Sequence, residues 1–199
     1  MTSRYKALQV TIRQLKIDEQ RLAERLRNGD NGAMREFYVL YAEQLTGVCS
    51  RYITDEDDMK DVFQESLIHI ITHISDFTYR GAGSLKAWAT RIVVNESLRF
   101  LRDTKRHELL LLDQEVADEP EVDDPPISDV PPDEIHRMVS QLPTGYRAVF
   151  NLYVFENKSH QEIASLLGIK EKSSASQLSR AKNLLAKMIR QYNQTRFPR

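Results

Sequence analysis

Near the C-terminal end of the chain, Ser173, Ser176, Gln177, Ser179, Arg180 and Lys182 face away from an apolar stripe, and their chemistry suits a nucleic acid. Ser and Gln can hydrogen-bond to base edges, while Arg can pair bidentately with guanine or hold a phosphate. Lys172, just upstream, adds a further phosphate-seeking charge. The stripe itself is Leu178, Ala181, Leu184, Leu185 and Met188, at helical spacing. A shorter helix precedes it: Ser159 and Glu162 form an S-x-x-E capping box, and Ile163, Ala164 and Leu167 follow as its apolar side. Gly168 stands where the αL conformation of a helix stop costs least. Two helices joined by a tight Gly-containing turn make a helix-turn-helix, whose second helix enters the major groove. The plainer reading is a solvated face of an all-α domain. Charge argues against it, because Arg137 to Arg199 holds 11 Lys or Arg against 3 acidic residues, a net of +8 in a chain of net charge −1.

The elements that carry these residues are helical throughout. The 199 residues include only seven Gly and seven Pro, too few for a turn-dense all-β fold. Tyr5 to Arg27 carries Leu8, Ile12, Leu15, Leu22 and Leu26 at helical spacing. Asn28 to Gly32 breaks that helix, and Asp30 can cap the next, from about Ala33 to Tyr52, with Phe37, Tyr41, Leu45 and Val48 buried. Thr54 or Asp55 caps a third helix reaching about Ser75, with Val62, Phe63, Leu67, Ile70, Ile71 and Ile74 as its stripe. Ser84 caps a fourth, to about His107, with Leu85, Trp88, Ile92, Leu98 and Leu101 inward. From Glu108 to Glu134 the composition changes to 11 acidic residues and five Pro without one Lys or Arg, a stretch too polar to pack. The expected architecture is all-α: a helical bundle at 1–107, an acidic linker at 108–134, and a helix-turn-helix domain at 135–199.

Two further surfaces in the first domain bear chemistry. On the third helix, Asp58, Asp61, Gln64 and Glu65 lie opposite the apolar stripe, either as a solvated face or as a docking face for a basic partner helix. Glu65, His69 and His73 stand four apart, but no H-E-x-x-H pattern or Cys partner accompanies them. Around Asn95 the fourth helix presents Arg91, Arg99, Arg102, Lys105 and Arg106, a stripe for backbone phosphates. Phe77, Tyr79 and Trp88 precede it, and aromatics beside cations suit single-stranded DNA, whose unstacked bases need replacement π-faces. Trp88 shares its stripe with Leu85 and Ile92, so for it a core role competes with base contact. The loop aromatics can form a pocket for a flipped base.

Other classes are disfavoured. No nucleophile–base pair, phosphate loop or metal cluster is evident, so no catalysis, cofactor or small-molecule substrate is expected. The single Cys49 falls in an apolar helical run, as a core residue in a reducing cytoplasm would. No apolar run approaches the ~20 residues that span a bilayer, and the N-terminus shows no secretory h-region.

Four stretches, AMREFYVLYAEQL, DMKDVFQESL, SLKAWATRIVVNESLRFLR and LPTGYRAVFNLYVFENKSHQEIASLLGIKEKSSASQLSRAK, resemble in order the sigma factors of bacterial RNA polymerase, in their extracytoplasmic-function group. The resemblance implies that Asp61, Gln64 and Glu65, with Asp58, dock on the β′ coiled coil of the core polymerase. It implies that the loop Phe77 to Ser84 and the helix around Asn95 recognise and melt the −10 element. It implies that Lys172, Ser173, Ser176, Gln177, Ser179, Arg180 and Lys182 meet the −35 duplex while the same domain touches the β flap, and that an anti-sigma partner silences the chain. Met59-Lys60, Arg99, Lys170 and Ala175 depart from the family's usual residues, and Lys170 removes a helix cap worth about 1 kcal/mol. Two other readings stay open: a stand-alone helix-turn-helix regulator with an N-terminal dimerisation or sensor domain, and an adaptor that binds no DNA.

Overall fold

The computed structural model describes residues 18–106, 109 and 130–196. Leu8, Ile12 and Leu15 of the expected first stripe, and most of the acidic stretch, lie outside them. Every regular element among the described residues is helical. The chain divides into two compact units, one from Met1–Ser50 and Asp55–Ser97, the other from Arg51–Thr54 and Leu98–Arg199.

The first unit is built on α1 (Glu19–Arg27), α2 (Asn31–Ser50), α3 (Glu56–Thr72) and most of α4 (Ser84–Thr104). Asp18 opens α1 by accepting the Arg21 N–H at 2.9 Å, and Leu22, Ala23 and Leu26 are buried. At the break, Gly29 takes a φ of 70° and Asp30 accepts the Gly32 N–H at 2.7 Å. Arg25 then spans to Asp30 at 2.8 Å and to Glu36 at 2.6 Å, which fixes the angle at which α2 leaves. Phe37, Tyr41, Leu45 and Val48 are buried, as their spacing implies. Cys49 is buried too, its sulfur 3.7 Å from the Ser97 hydroxyl.

The boundaries differ from the sequence reading in instructive ways. Asp55, not Thr54, caps α3, accepting from the Asp57 and Asp58 N–H groups at 3.0 Å each. The helix stops at Thr72 and tightens into a 3-10 turn, Ile74–Asp76, with Ile74 buried. Ser84 lies inside α4 and not ahead of it. Its hydroxyl accepts the Arg80 N–H at 3.2 Å and so folds the preceding loop. Leu85, Leu98 and Leu101 are buried, whereas Trp88 and Ile92 are only half-buried.

The second unit carries α5 (Pro132–Ser140), α6 (Thr144–Val154), α7 (His160–Leu167) and α8 (Glu171–Arg196). Helix α5 opens within the stretch expected to be linker. Pro132 takes a first-turn position, where its missing N–H is no loss, and Asp133 and Glu134 complement the positive end of the helix. Val130, just upstream, joins Met138, Val139, Leu142, Tyr146, Ala181, Leu185 and Ile189 in one apolar cluster. Arg147 is buried and its Nη1 donates to the Leu142 carbonyl at 2.7 Å and the Ser140 carbonyl at 3.2 Å, which satisfies the open end of α5.

The α7–α8 pair follows its sequence signals closely. Both halves of the capping box form: the Ser159 hydroxyl accepts the Glu162 N–H at 3.2 Å, and the Glu162 carboxylate accepts the Ser159 N–H at 2.9 Å. Gly168 ends α7 at φ 67°. Across the turn, the Ser174 hydroxyl meets His160 Nδ1 at 3.0 Å, so the two helices are joined by polar as well as apolar contact.

Two outcomes follow. A Cβ on Gly168 would meet nothing within 4 Å, so Gly168→Ala carries only the backbone cost of a left-handed L-residue and should lower stability by about 1–2 kcal/mol in urea unfolding. The Ser159 N–H, then the Lys158 ammonium and the Ser159 hydroxyl, hold the Glu162 carboxyl down at about 2 against an ordinary 4.5. A carboxyl depressed on folding stabilises fully above its unfolded value and loses that contribution as pH falls through its folded one. Glu162→Gln should therefore flatten the decline of the urea midpoint between pH 4.5 and 2, followed by far-ultraviolet circular dichroism.

Candidate nucleic-acid interface

On α4, Trp88, Arg91, Asn95, Arg99 and Arg102 recur every three or four residues and fall on one face, with all but Trp88 exposed. Ahead of them the loop from Phe77 to Ser84 arches over a cavity of about 300 Å³, lined by Asp76, Phe77, Arg80, Ser84, Trp88 and Arg91 among others. Gly81 and Gly83, at φ 120° and 88°, supply the backbone that lets so short a loop bend. The aromatics divide in a way the sequence did not anticipate. Phe77 is only 3% exposed, its ring tilted against Trp88 at a centroid distance of 5.6 Å, so it forms the floor of the cavity and is no free stacking surface. Tyr79 is 40% exposed, and Trp88 is half-buried yet lines the cavity. Core and site roles thus coincide at Trp88, because one side of its ring packs while the other borders open space.

Helix α3 presents Asp61, Gln64 and Glu65 fully exposed and Asp58 half-buried. Among them stands Ile68, 55% exposed, three residues past Glu65, four past Gln64 and seven past Asp61. The stripe drawn from sequence ran through Leu67 and Ile71 and passed over it. Its spacing puts it on the same side of the helix as those three polar residues. Lys60 is turned to Glu56 at 2.9 Å and Asp57 at 3.4 Å, which offsets its charge within the first turn. His69 Nδ1 pairs with the buried Glu96 carboxylate at 2.7 Å, not with Glu65. Among the described residues no group of three or more His, Cys, Asp or Glu could hold a metal ion.

Helix α8 modifies the expected −35 face. Lys172 is exposed, and Ser176, Ser179 and Arg180 are half-exposed. The Ser176 hydroxyl donates to the Lys172 carbonyl at 3.1 Å, one turn back on its own helix. Ser173 and Gln177, taken as outward, are buried at 7% and 1% exposure. They lie one turn apart on a single stripe, and Gln177 Nε2 donates to the Leu109 carbonyl at 3.3 Å, so that stripe is covered in this conformation. Lys182, two residues past Arg180, falls on another side of the helix, where it borders an apolar cavity with Leu185, Ala186 and Ile189.

The chain's only tryptophan, Trp88, reports on this surface. With Arg80 and Arg91 against one acid, Asp76, on the cavity wall, the ratio of iodide to caesium quenching should exceed that of a free tryptophan amide at equal ionic strength, and a ratio no higher would contradict a cationic cavity. Arg91→Gln should bring that ratio back toward the free-tryptophan value.

Residues 37–107 match the family model of Sigma-70 region 2, and residues 133–185 match that of Sigma-70, region 4. The chain is 26% identical over 188 residues to an ECF RNA polymerase sigma-E factor of Haemophilus influenzae, covering 87% of this chain and 96% of the relative. It is 24% identical over 182 residues to the RNA polymerase sigma-H factor of Pseudomonas aeruginosa, covering 86% and 93%. Among solved structures it is similar to CnrH, described in complex with the cytosolic domain of CnrY, at 21% identity and a TM-score of 0.45, covering 85% of this chain and 96% of that one.

Proposed function

Because this chain belongs to the sigma-70 family as an extracytoplasmic-function sigma factor, directing promoter-specific transcription initiation, we propose how its surfaces divide that work. The observation that carries the proposal is the exposed face of α3, where one large apolar side chain, Ile68, follows Asp61, Gln64 and Glu65 at helical spacing, with Asp58 a turn further back. An exposed apolar side chain beside polar ones can anchor a partner protein. This face docks on the β′ coiled coil of the core polymerase, with the carboxylates steering basic residues into register. An anti-sigma partner silences the chain by covering the same face.

The loop cavity above α4 takes an unpaired base of the −10 element. Its volume of about 300 Å³ lies at the small end of ligand pockets. Tyr79 and Trp88 offer π-faces, Phe77 supports them from below, and Arg91, Asn95, Arg99 and Arg102 follow the phosphate backbone. Helix α8 reads the −35 duplex through Lys172, Ser176, Ser179 and Arg180. Ser173 and Gln177 join once Leu109 moves off them, and Lys182 serves phosphate contact at most. Tyr153, Val154 and Phe155, exposed at 40–51% at the end of α6, suit the β flap. The work is shared by a domain up to about residue 107, an acidic linker after it, and a C-terminal domain that opens at Val130 and α5 rather than at the expected residue 135. Catalysis is left to the polymerase, in the cytoplasm, without cofactor or small-molecule substrate. No helix among the described residues is long and apolar enough to cross a membrane.

Mixing the purified protein with core polymerase and a randomised promoter library tests the proposal. Run-off transcripts should appear only with the protein present and should share two sequence elements; duplex binding without polymerase dependence would favour the stand-alone regulator. Ile68→Asp, which leaves the core untouched, should weaken binding to core polymerase by about 30-fold or more in competition with the unmodified protein. Unchanged affinity would remove α3 from the docking surface.

A further inference from the structure

The loop over the α4 cavity is gripped at both ends by one helix that neither family match includes, since the first begins at residue 37. At its near end, Arg27 Nε donates to the Ile74 carbonyl at 3.3 Å and Nη2 donates to the Phe77 carbonyl. At its far end, one oxygen of Glu19 accepts the Leu85 N–H at 3.1 Å. The other oxygen accepts the Tyr41 hydroxyl at 2.9 Å. Glu19 is only 6% exposed, and Leu85 is fully buried. The Leu85 N–H belongs to the first turn of α4, where no intrahelical acceptor exists. Burial and the Glu19 carboxylate also push the Tyr41 phenol well above its ordinary range, so its hydroxyl remains a donor at any working pH.

The geometry makes this a clamp rather than incidental packing. Eight residues of α1 separate Glu19 from Arg27, a rise of about 12 Å. Eight residues also separate Phe77 from Leu85, and an extended chain of that length would reach about 26–29 Å. Holding the ends at roughly half their reach bows the loop outward and keeps space beneath it. Gly81 and Gly83 give the loop little stiffness of its own, so its shape is set from its ends.

We propose that Glu19 and Arg27 are positioning residues for promoter opening: α1 sets the arch that receives the unpaired −10 base. The inference rests on the reading of the loop cavity given above. Neither side chain need touch DNA. Their loss changes which −10 sequences are accepted while leaving −35 choice and polymerase docking as they were.

The test uses the full-length protein with core polymerase and a library randomised at both elements. Arg27→Ala, an exposed position that should not threaten folding, is expected to reduce sequence enrichment at the −10 element by about tenfold, within what one base contact is worth. Enrichment at the −35 element and affinity for core polymerase should not move. Arg27→Lys, which can still reach one carbonyl, should recover part of the loss. Glu19→Gln keeps an acceptor for the Leu85 N–H and should resemble the parent, whereas Glu19→Ala should resemble Arg27→Ala; helical melting of each variant checks that it folds. Equal loss at both elements would make the clamp merely structural, and undiminished −10 enrichment in Arg27→Ala would overturn the inference. If the unaltered protein enriched no −10 element at all, the reading of the loop cavity would fail instead.

Discussion

A carboxylate removed from water must be met by donors or lose its charge. Glu19 is met by two, and they come from different helices: a phenol on α2 and a backbone N–H at the start of α4. Three segments distant in sequence are thereby referred to a single point. The nine residues of α1 are too few to hold a helix in isolation. What keeps α1 folded is Leu22, Ala23 and Leu26 against the other helices, with Glu19 and Arg27 fixing its direction. Apolar contact supplies most of the attraction, and the polar contacts select one arrangement among many that would bury similar area.

The second unit closes its helix ends mainly with groups close in sequence, and adds long-range bonds from Arg147 and Asn151 to the Tyr52 and Arg51 carbonyls. The capping box, the Gly168 stop, the Ser174–His160 contact and the Arg147 hold on α5 each satisfy groups that short helices leave open. Such local solutions suit a module that offers one rigid helix to a groove. In the first unit the long-range contacts are those of α1 with the two ends of the Phe77–Ser84 loop.

That contrast explains what could be read from the amino-acid order. The capping box, Gly168, the α8 stripe and the buried positions of α2 depend on neighbours within one or two turns, and pattern alone finds them. The acidic face of α3 was visible for the same reason. Ile68 was missed because the apolar stripe was drawn too wide, and an exposed isoleucine cannot be told from a core one without its surroundings. Phe77 was placed at the surface because loop aromatics usually are; only the packing of Trp88 shows it to be the floor. Composition runs the acidic stretch on to Glu134, yet Pro132 in the first turn begins a helix there. The covering of Gln177 involves Leu109, 68 residues away, beyond any periodicity.

The lone sulfhydryl has a regulatory corollary. Cys49 is fully buried between Ser97 and the Met59 carbonyl, and burial pushes its thiol pKa up. A thiol that is neither ionised nor reachable is a poor target for peroxide or disulfide exchange. With no second cysteine in the chain, this protein has no oxidisable pair of its own. An intramolecular disulfide is therefore not a switch available to these 199 residues.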